Sequence, residues 1–456
     1  MNMRHAADLL STLAREHAVP GAQLAVDTGT EVLSVATGVT RSTAGVPVED
    51  GTAFAYGSVT KAFTATLVLQ LASDGDIGLD DPLADSLAEF RRPKDRAAAA
   101  LTARQLLCHT AGLVSDHQLP DPGERSLFRY AASVAALPLL LAPGTSFSYA
   151  NTGYNLLGRL VEEVTGTSWQ TALGDFLLGP LGIRPHFLHG SGPGGRVQAE
   201  GHAVRPGERE ARPVGLYLPP TWAPAGGLCG SARDLLGFAR LHTGAAAGAD
   251  TLLGPRDRAA MHTIQPAADA FGMADGWTLG LARYGADGQW LGHDGTVDGA
   301  TCHLRFHPAS GAAVALTTNA TTGTRLWPEL LAELRTLGLD VADYPGARPE
   351  SPQSTESPAA GRTPADPAPL YGDYANGDTV FSVRPHGDGI RLSDPSGLLA
   401  DLELYDGLRF SARRTDTAAA PYPGRFVPDP ATGAVDLMQL AGRSATRLRG
   451  VGHSAA

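Results

Sequence analysis

The sequence predicts a two-part chain: a layered α/β (α+β) body in which helices flank an antiparallel sheet, then a small antiparallel β domain. Three observations predict it. The 456 residues exceed the roughly 250 to 300 at which a single core stops growing, so a large unit plus a smaller one is expected. Composition breaks at 346–369, GARPESPQSTESPAAGRTPADPAP, where Pro, Ser, Ala and charges replace any apolar period, as in an extended linker. Strand-like alternation lies on both sides of that break, mixed with helical spacing only on the N-terminal side.

In chain order, residues 1–345 open with an amphipathic helix and a hairpin in GAQLAVDTGTEVLSVATGV. A long helix begins near Ser58, and a middle rich in helices and loops follows. Strand patterns return at WTLGLARYG, QWLGHDG, CHLRFHP and AAVALTTNA. Beyond the linker, 370–456 carries short alternating segments at 380–385, 389–393, 402–404, 408–412 and 435–440, separated by Asp-Gly and Gly-rich turns.

Charge and cysteine content exclude several classes of function. A net charge of -11 without any basic run repels phosphate backbones and anionic lipid, so neither nucleic acid nor membrane is an expected partner. The first residues hold no apolar stretch of the roughly 7 to 15 residues that an export signal needs, and no run approaches a membrane span. Cys108, Cys229 and Cys302 are few and far apart, which fits reduced thiols. A cytoplasmic location is expected.

The chemistry concentrates in three short stretches. Ser58-Val59-Thr60-Lys61 follows Gly57 at a helix start, and the i, i+3 spacing places serine and lysine on one face, about 5 to 6 Å apart at Cβ. A serine nucleophile needs a base, and a lysine serves once its pKa falls far enough to leave a neutral amine. Only two of the 36 basic residues, Lys61 and Lys94, are lysine; arginine cannot give up its proton, so lysine at 61 reads as a chemical requirement. Tyr149-Ala150-Asn151 leads into an amphipathic helix. A tyrosine beside a cationic lysine is expected to have a lowered pKa and to relay protons, and the amide can hold both Lys61 and a substrate amide. His293-Asp294-Gly295-Thr296 ends a strand. Each stretch alone also reads as ordinary structure: a helix cap, a packed tyrosine with a turn asparagine, and a loop histidine.

Taken together, their order and context resemble the serine β-lactamase and penicillin-binding-protein superfamily, in its class C and DD-carboxypeptidase-like esterase branch, with motifs S-x-x-K, Y-x-N and K/H-x-G. LTARQLLCHTAGL (101–113) and PAGGLCGSARDLLGFARL (224–241) resemble the same branch, and the resemblance spans about residues 5 to 335. It implies a β-lactamase/transpeptidase-like fold, with an antiparallel sheet flanked by helices and an all-helical subdomain. It also implies that Ser58 attacks an acyl group, Lys61 takes its proton, Tyr149 relays protons, and Asn151 orients Lys61 and the substrate. The backbone N–H groups of Ser58 and Thr296 would form the oxyanion hole, with His293 lining the opposite strand and Gly295 as a substrate-binding position.

His293 stands where many relatives keep a lysine, and a mostly neutral imidazole grips a carboxylate less than a fixed cation does, which demotes β-lactam hydrolysis. The overall plan is similar to the stand-alone penicillin-binding-protein-type thioesterases of nonribosomal peptide pathways, which carry a lipocalin-like β-barrel after the linker. That resemblance implies a peptide with a D-configured C-terminal residue, delivered as a carrier-protein thioester and released as a macrocycle. A cytoplasmic esterase or D-stereospecific aminopeptidase is the alternative, and a non-catalytic protein that kept the fold is a third. No cofactor or metal is expected: the histidines form no H-E-x-x-H or Cys/His pair, and the glycine run 190–195 is not set between strand and helix. His109 reads as structural. Arg447 and Arg449 either bind a substrate carboxylate or stand solvated on an edge strand.

Overall fold

The computed structural model describes residues 2–43, 45–189, 195–205, 207–285, 287–344, 366–395, 397–415, 421–429 and 431–448. Most of the expected linker, Arg449 and the glycine run at 190–194 lie outside the described residues.

The body is built on a seven-stranded antiparallel sheet. Its strands are β1 (Gly21–Thr28), β2 (Val32–Gly38), β7 (Gly276–Trp277), β8 (Ala282–Tyr284), β9 (Trp290–Val297), β10 (Ala300–Phe306) and β11 (Ala312–Thr318), in the order β2-β1-β11-β10-β9-β8-β7. Two short ribbons lie outside it: β3 (Phe54–Ala55) with β6 (Cys229–Gly230), and β4 (Gly201–Val204) with β5 (Ala211–Val214). The period of two decides what each face meets. Ala22, Leu24 and Val26 of β1 and Val314 and Leu316 of β11 pack under the helices Met3–Glu16 and Gly323–Thr336. Ala25, Ala313 and Ala315 face the helical half, with Leu304 and Phe306 of β10. With both faces covered, β10 and β11 are buried along their whole length; β11 reads as a near-continuous apolar run, whereas β10 also buries His303 and Arg305.

The helix Thr60–Ser73 runs through the middle of the helical half and is enclosed on every side, which is why its sequence is apolar all round. Phe63 stacks on Phe238 of the helix Ala232–Thr243 at 3.9 Å between centroids. The same burial encloses Lys61, which has no exposed surface.

After the body, eight strands close into an antiparallel barrel in simple meander order: β12 (Gly372–Asn376), β13 (Thr379–His386), β14 (Gly389–Ser393), β15 (Leu399–Leu404), β16 (Arg409–Arg414), β17 (Tyr422–Pro428), β18 (Val435–Leu440) and β19 (Arg443–Arg447). Closure removes the free edges that a small sheet would otherwise present. Alternating residues such as Tyr374, Val383, Leu392, Phe410, Phe426 and Met438 fill the interior. β12, β17 and β19 were not among the segments read from the sequence.

The barrel is seated on the body by buried polar contacts. Asn376 accepts from Ser115 N at 2.8 Å and donates to Ser115 Oγ at 2.9 Å and Ser444 O at 2.7 Å. Gln439 and Ser444 side chains both donate to Phe147 O, at 3.1 and 3.2 Å. Arg425 pairs with Asp269 at 2.7 Å. Asn376→Leu leaves the buried Ser115 N–H without its partner, so a loss of about 1 to 3 kcal/mol is expected in urea titration, with faster proteolysis between body and barrel.

Candidate active site

Two glycines bring the start of the buried helix against β9. Gly57 has φ +53°, a left-handed turn that leads from β3 through the single turn Gly57–Val59 into Thr60–Ser73. A Cβ on Gly57 would stand 2.6 Å from Thr296 O and 2.8 Å from Thr296 N. One on Gly295 would stand 2.0 Å from Tyr56 O and 2.9 Å from Ser58 N. The main chain of Gly57 therefore lies against Thr296 and that of Gly295 against Tyr56 and Ser58, and Thr296 itself is exposed.

Lys61 Nζ lies 3.0 Å from Ser58 Oγ and donates to Ala225 O at 2.7 Å, with the rings of Tyr149 and Tyr154 centred 5.0 and 5.6 Å away. Burial holds its pKa well below the ordinary lysine value; the Asp116 charge opposes that shift and the Arg443 charge reinforces it. A neutral amine at this distance can take the serine proton.

Tyr149 is enclosed by His109, Trp277 and His293, at ring separations of 4.4, 5.7 and 6.3 Å. Its backbone N–H donates to Gly442 O of the barrel at 2.9 Å. The phenol's pKa stands well above its ordinary value, contrary to the expected lowering: burial dominates, with Ser58 pulling it partly back. The hydroxyl is buried without a well-formed hydrogen bond and keeps its proton rather than resting as a phenolate.

His293 Nδ1 lies 2.6 Å from Asp294 O, and a carbonyl only accepts, so Nδ1 carries the proton. Its buried Nε2 is a lone pair with no partner. Burial first, and the nearby Lys61 second, push its pKa down to about 3. The imidazole is neutral at physiological pH.

Asn151 does not reach Lys61. Its amide donates to Asp116 Oδ1 at 2.6 Å, and Ala225 O holds the amine in its place. Asp116 in turn pairs with Arg443 at 3.6 Å. Arg443, at the start of β19, has its guanidinium carbon 5.6 Å from the Tyr149 ring centroid. Arg447 stands elsewhere: it donates to Pro369 O at 2.5 Å, Tyr371 O at 2.8 Å and the Tyr374 hydroxyl at 3.0 Å, which commits it to closing the barrel. His109, with φ +59°, accepts from Ala150 N at 3.1 Å and braces the Tyr149 ring, a structural task. The sequence reading missed Asp116, Ala225, Trp277 and Arg443; the turn at Ala441 and Gly442 was the one signal that a hairpin presents Arg443.

A family model described as Beta-lactamase matches residues 6–333. The chain belongs to the β-lactamase family. Penicillin-binding protein 4 of Amycolatopsis lactamdurans is 36% identical over 378 residues, covering 81% of this chain and 97% of that protein. The structure of SurE is 42% identical with a TM-score of 0.84, covering 98% of this chain and 99% of that one, barrel included. A form of SurE with D-Leu gives 41% and 0.81 over the same shares. An octameric penicillin-binding-protein homologue from Pyrococcus abyssi shares the fold at 20% identity and a TM-score of 0.63. This member of the β-lactamase family is a serine hydrolase or acyltransferase, the class that its relatives and its fold support together.

Two measurements follow from the Lys61 and His293 environments. Lys61→Met is expected to slow acylation of Ser58 by about 10² to 10⁴-fold, with no rescue by Lys61→Arg, read by intact mass after a serine-directed probe. Wild-type acylation rises with pH as the amine deprotonates, with a midpoint well below the ordinary lysine value. For stability, His293 takes a proton at about 3 when folded and at about 6.5 when unfolded. Between those values the unfolded chain holds the extra proton, so stability present above about pH 6.5 is lost as pH falls toward 3. The urea midpoint is expected to fall across that window, and less so in His293→Asn.

Proposed function

We propose that this chain is a cytoplasmic, trans-acting thioesterase that takes a peptide with a D-configured C-terminal residue from a carrier thioester onto Ser58 and releases it as a macrocycle. The observation that carries the reading is the barrel turn seated over Tyr149, with Gly442 O on its backbone and Arg443 beside its ring. A cleft covered in this way limits bulk water, which favours attack by a tethered amine over hydrolysis. The neutral His293 supports the same reading, because it offers no fixed cation to a free substrate carboxylate. The likeness to SurE extends through the barrel, and its D-Leu form supports the D configuration. Three buried free thiols, and the lack among the described residues of any helix long and apolar enough to cross a membrane, fit the cytoplasmic placement.

In this mechanism Ser58 Oγ attacks the thioester carbon while Lys61 takes its proton. The N–H groups of Ser58 and Thr296 hold the developing oxyanion. The C–S bond breaks, and the thiolate leaves with the proton returned from Lys61 through Tyr149. The peptide's own amine then attacks the acyl-Ser58 ester, gives its proton back along the same path, and frees the serine hydroxyl. The carrier protein is the partner this scheme requires.

The test is incubation with a soluble peptidyl thioester mimic ending in a D or an L residue. An acyl-Ser58 adduct and a cyclic product are expected with the D form, formed at least about tenfold faster than with L, and neither is expected in Ser58→Ala. Rapid turnover of simple p-nitrophenyl esters or D-amino-acid amides with no cyclic product would instead establish the esterase or D-aminopeptidase alternative.

A further inference from the structure

The middle residue of the His293-Asp294-Gly295 stretch takes no part in the chemistry above, yet four contacts from neighbouring side chains converge on its carboxylate. Arg305 donates to both oxygens, Nη1 to Oδ1 and Nη2 to Oδ2, each at 2.9 Å. His303 Nδ1 reaches Oδ1 at 2.7 Å, and the Tyr284 hydroxyl lies 3.4 Å from Oδ2. His303 and Arg305 belong to β10 and Tyr284 to β8, the two strands that flank β9. Asp294 is thus gripped from both sides.

The grip is itself anchored. Arg305 has no exposed surface; it also donates to Asp343 Oδ1 at 2.7 Å and to Leu304 O at 2.9 Å, and its guanidinium lies 3.6 Å from the Tyr284 ring centroid. His303 stacks on Trp327 of the helix Gly323–Thr336 at 4.8 Å and 6°. A network of this kind, with Arg305 enclosed and the Asp294 side chain 42% exposed, generally adds little net stability over apolar residues of similar volume. What it does supply is direction, since a bidentate guanidinium fixes the plane and position of its carboxylate.

That direction matters because of where Asp294 sits. Alternation along β9 turns His293 and Gly295 toward the cleft and Asp294 away from it. Gly295 and Thr296 are already in contact with Tyr56, Gly57 and Ser58, so a shift of a few tenths of an ångström in β9 alters the gap between the Ser58 and Thr296 amides. Oxyanion stabilisation depends on donors held about 2.7 to 3.1 Å from the oxygen. We infer that Asp294 is a positioning residue for acyl transfer: clamped by Arg305 and His303, it fixes β9 so that the Thr296 amide and His293 stand at working distance from Ser58. The inference rests on acylation at Ser58 and is independent of the peptide substrate.

The test uses the full chain as wild type, Asp294→Asn, and the double variant Asp294→Leu with Arg305→Met. A fluorophosphonate probe reports the site directly: the Ser58 Oγ–P bond forms, P–F breaks, fluoride leaves, the serine proton passes to Lys61, and the phosphonyl oxygen takes the oxyanion's place. Asp294→Asn is expected to lower both the labelling rate and kcat for p-nitrophenyl butyrate by about 10- to 100-fold, with KM moving less than about threefold. The double variant is expected to regain wild-type stability in urea while staying slow. Recovery of rate along with stability in the double variant, or a labelling rate within about twofold of wild type in folded Asp294→Asn, overturns the clamp. Should the double variant not fold, Asp294→Asn decides alone, because its amide keeps the shape and an acceptor. An unlabelled wild type removes the Ser58 reading itself and the clamp with it, an outcome distinct from a labelled wild type with unaffected variants.

Discussion

An amine with no exposed surface, 3.0 Å from a serine hydroxyl, is the constraint on which the rest of the site depends. Keeping a charged ammonium there would cost its hydration without a carboxylate in contact to compensate, so the lysine's pKa is held well below its ordinary value. Burial acts on its neighbours as well: it pushes the pKa of the Tyr149 phenol up, so that it keeps its proton, and it holds the imidazole of His293 neutral. The resting site therefore holds a serine hydroxyl, an amine whose free form burial favours, a phenol and a neutral imidazole.

The barrel belongs to this arrangement and is more than an appendage. Tyr149 owes its backbone partner to Gly442, and the preceding Phe147 carbonyl is held by Gln439 and Ser444. Ser115, next to Asp116, is held by Asn376. The segments that carry Tyr149 and Asp116 are thus fixed by residues some 290 positions later in one case and about 260 in the other. A serine and a lysine one turn apart make a nucleophile and base locally, while the surroundings that tune them come from far along the chain.

That division explains what was legible in the sequence. Ser58 and Lys61 could be paired because a helix repeats locally, and the scarcity of lysine marked Lys61 as a position where arginine's chemistry fails. The strand β11 was visible because two covered faces leave a near-continuous apolar run. The partner of Asn151 was not visible, since Asp116 sits in a loop with no motif and meets it only in the fold. Arg443 and Arg447 share one face of β19, so alternation cannot choose between them. They stand roughly 13 Å apart along the strand, and the docking of the barrel decides which end meets the cleft. The phenol's raised pKa escaped for a related reason: the expectation weighed a neighbouring cation, whereas burial, a property of the assembled fold, dominates.

The same contacts tie the barrel to the strength of the base. Asn151 of the second motif holds Asp116, and Asp116 pairs with Arg443 of the barrel. The two charges act on Lys61 in opposite senses, Asp116 favouring the ammonium and Arg443 the free amine. With the barrel seated, their effects oppose each other and burial decides the outcome. Were the barrel to lift away, Arg443 would leave with it, while Asp116 would remain on the body and hold the proton on Lys61 more firmly. Water entering the opened cleft would act in the same direction by solvating the ammonium. The free amine that can take the serine proton is therefore more populated with the barrel seated, and less populated when the amine is open to water. A family whose fold serves many acyl transfers can separate them by such coupling, leaving the nucleophile unchanged and altering what must be in place before it is activated.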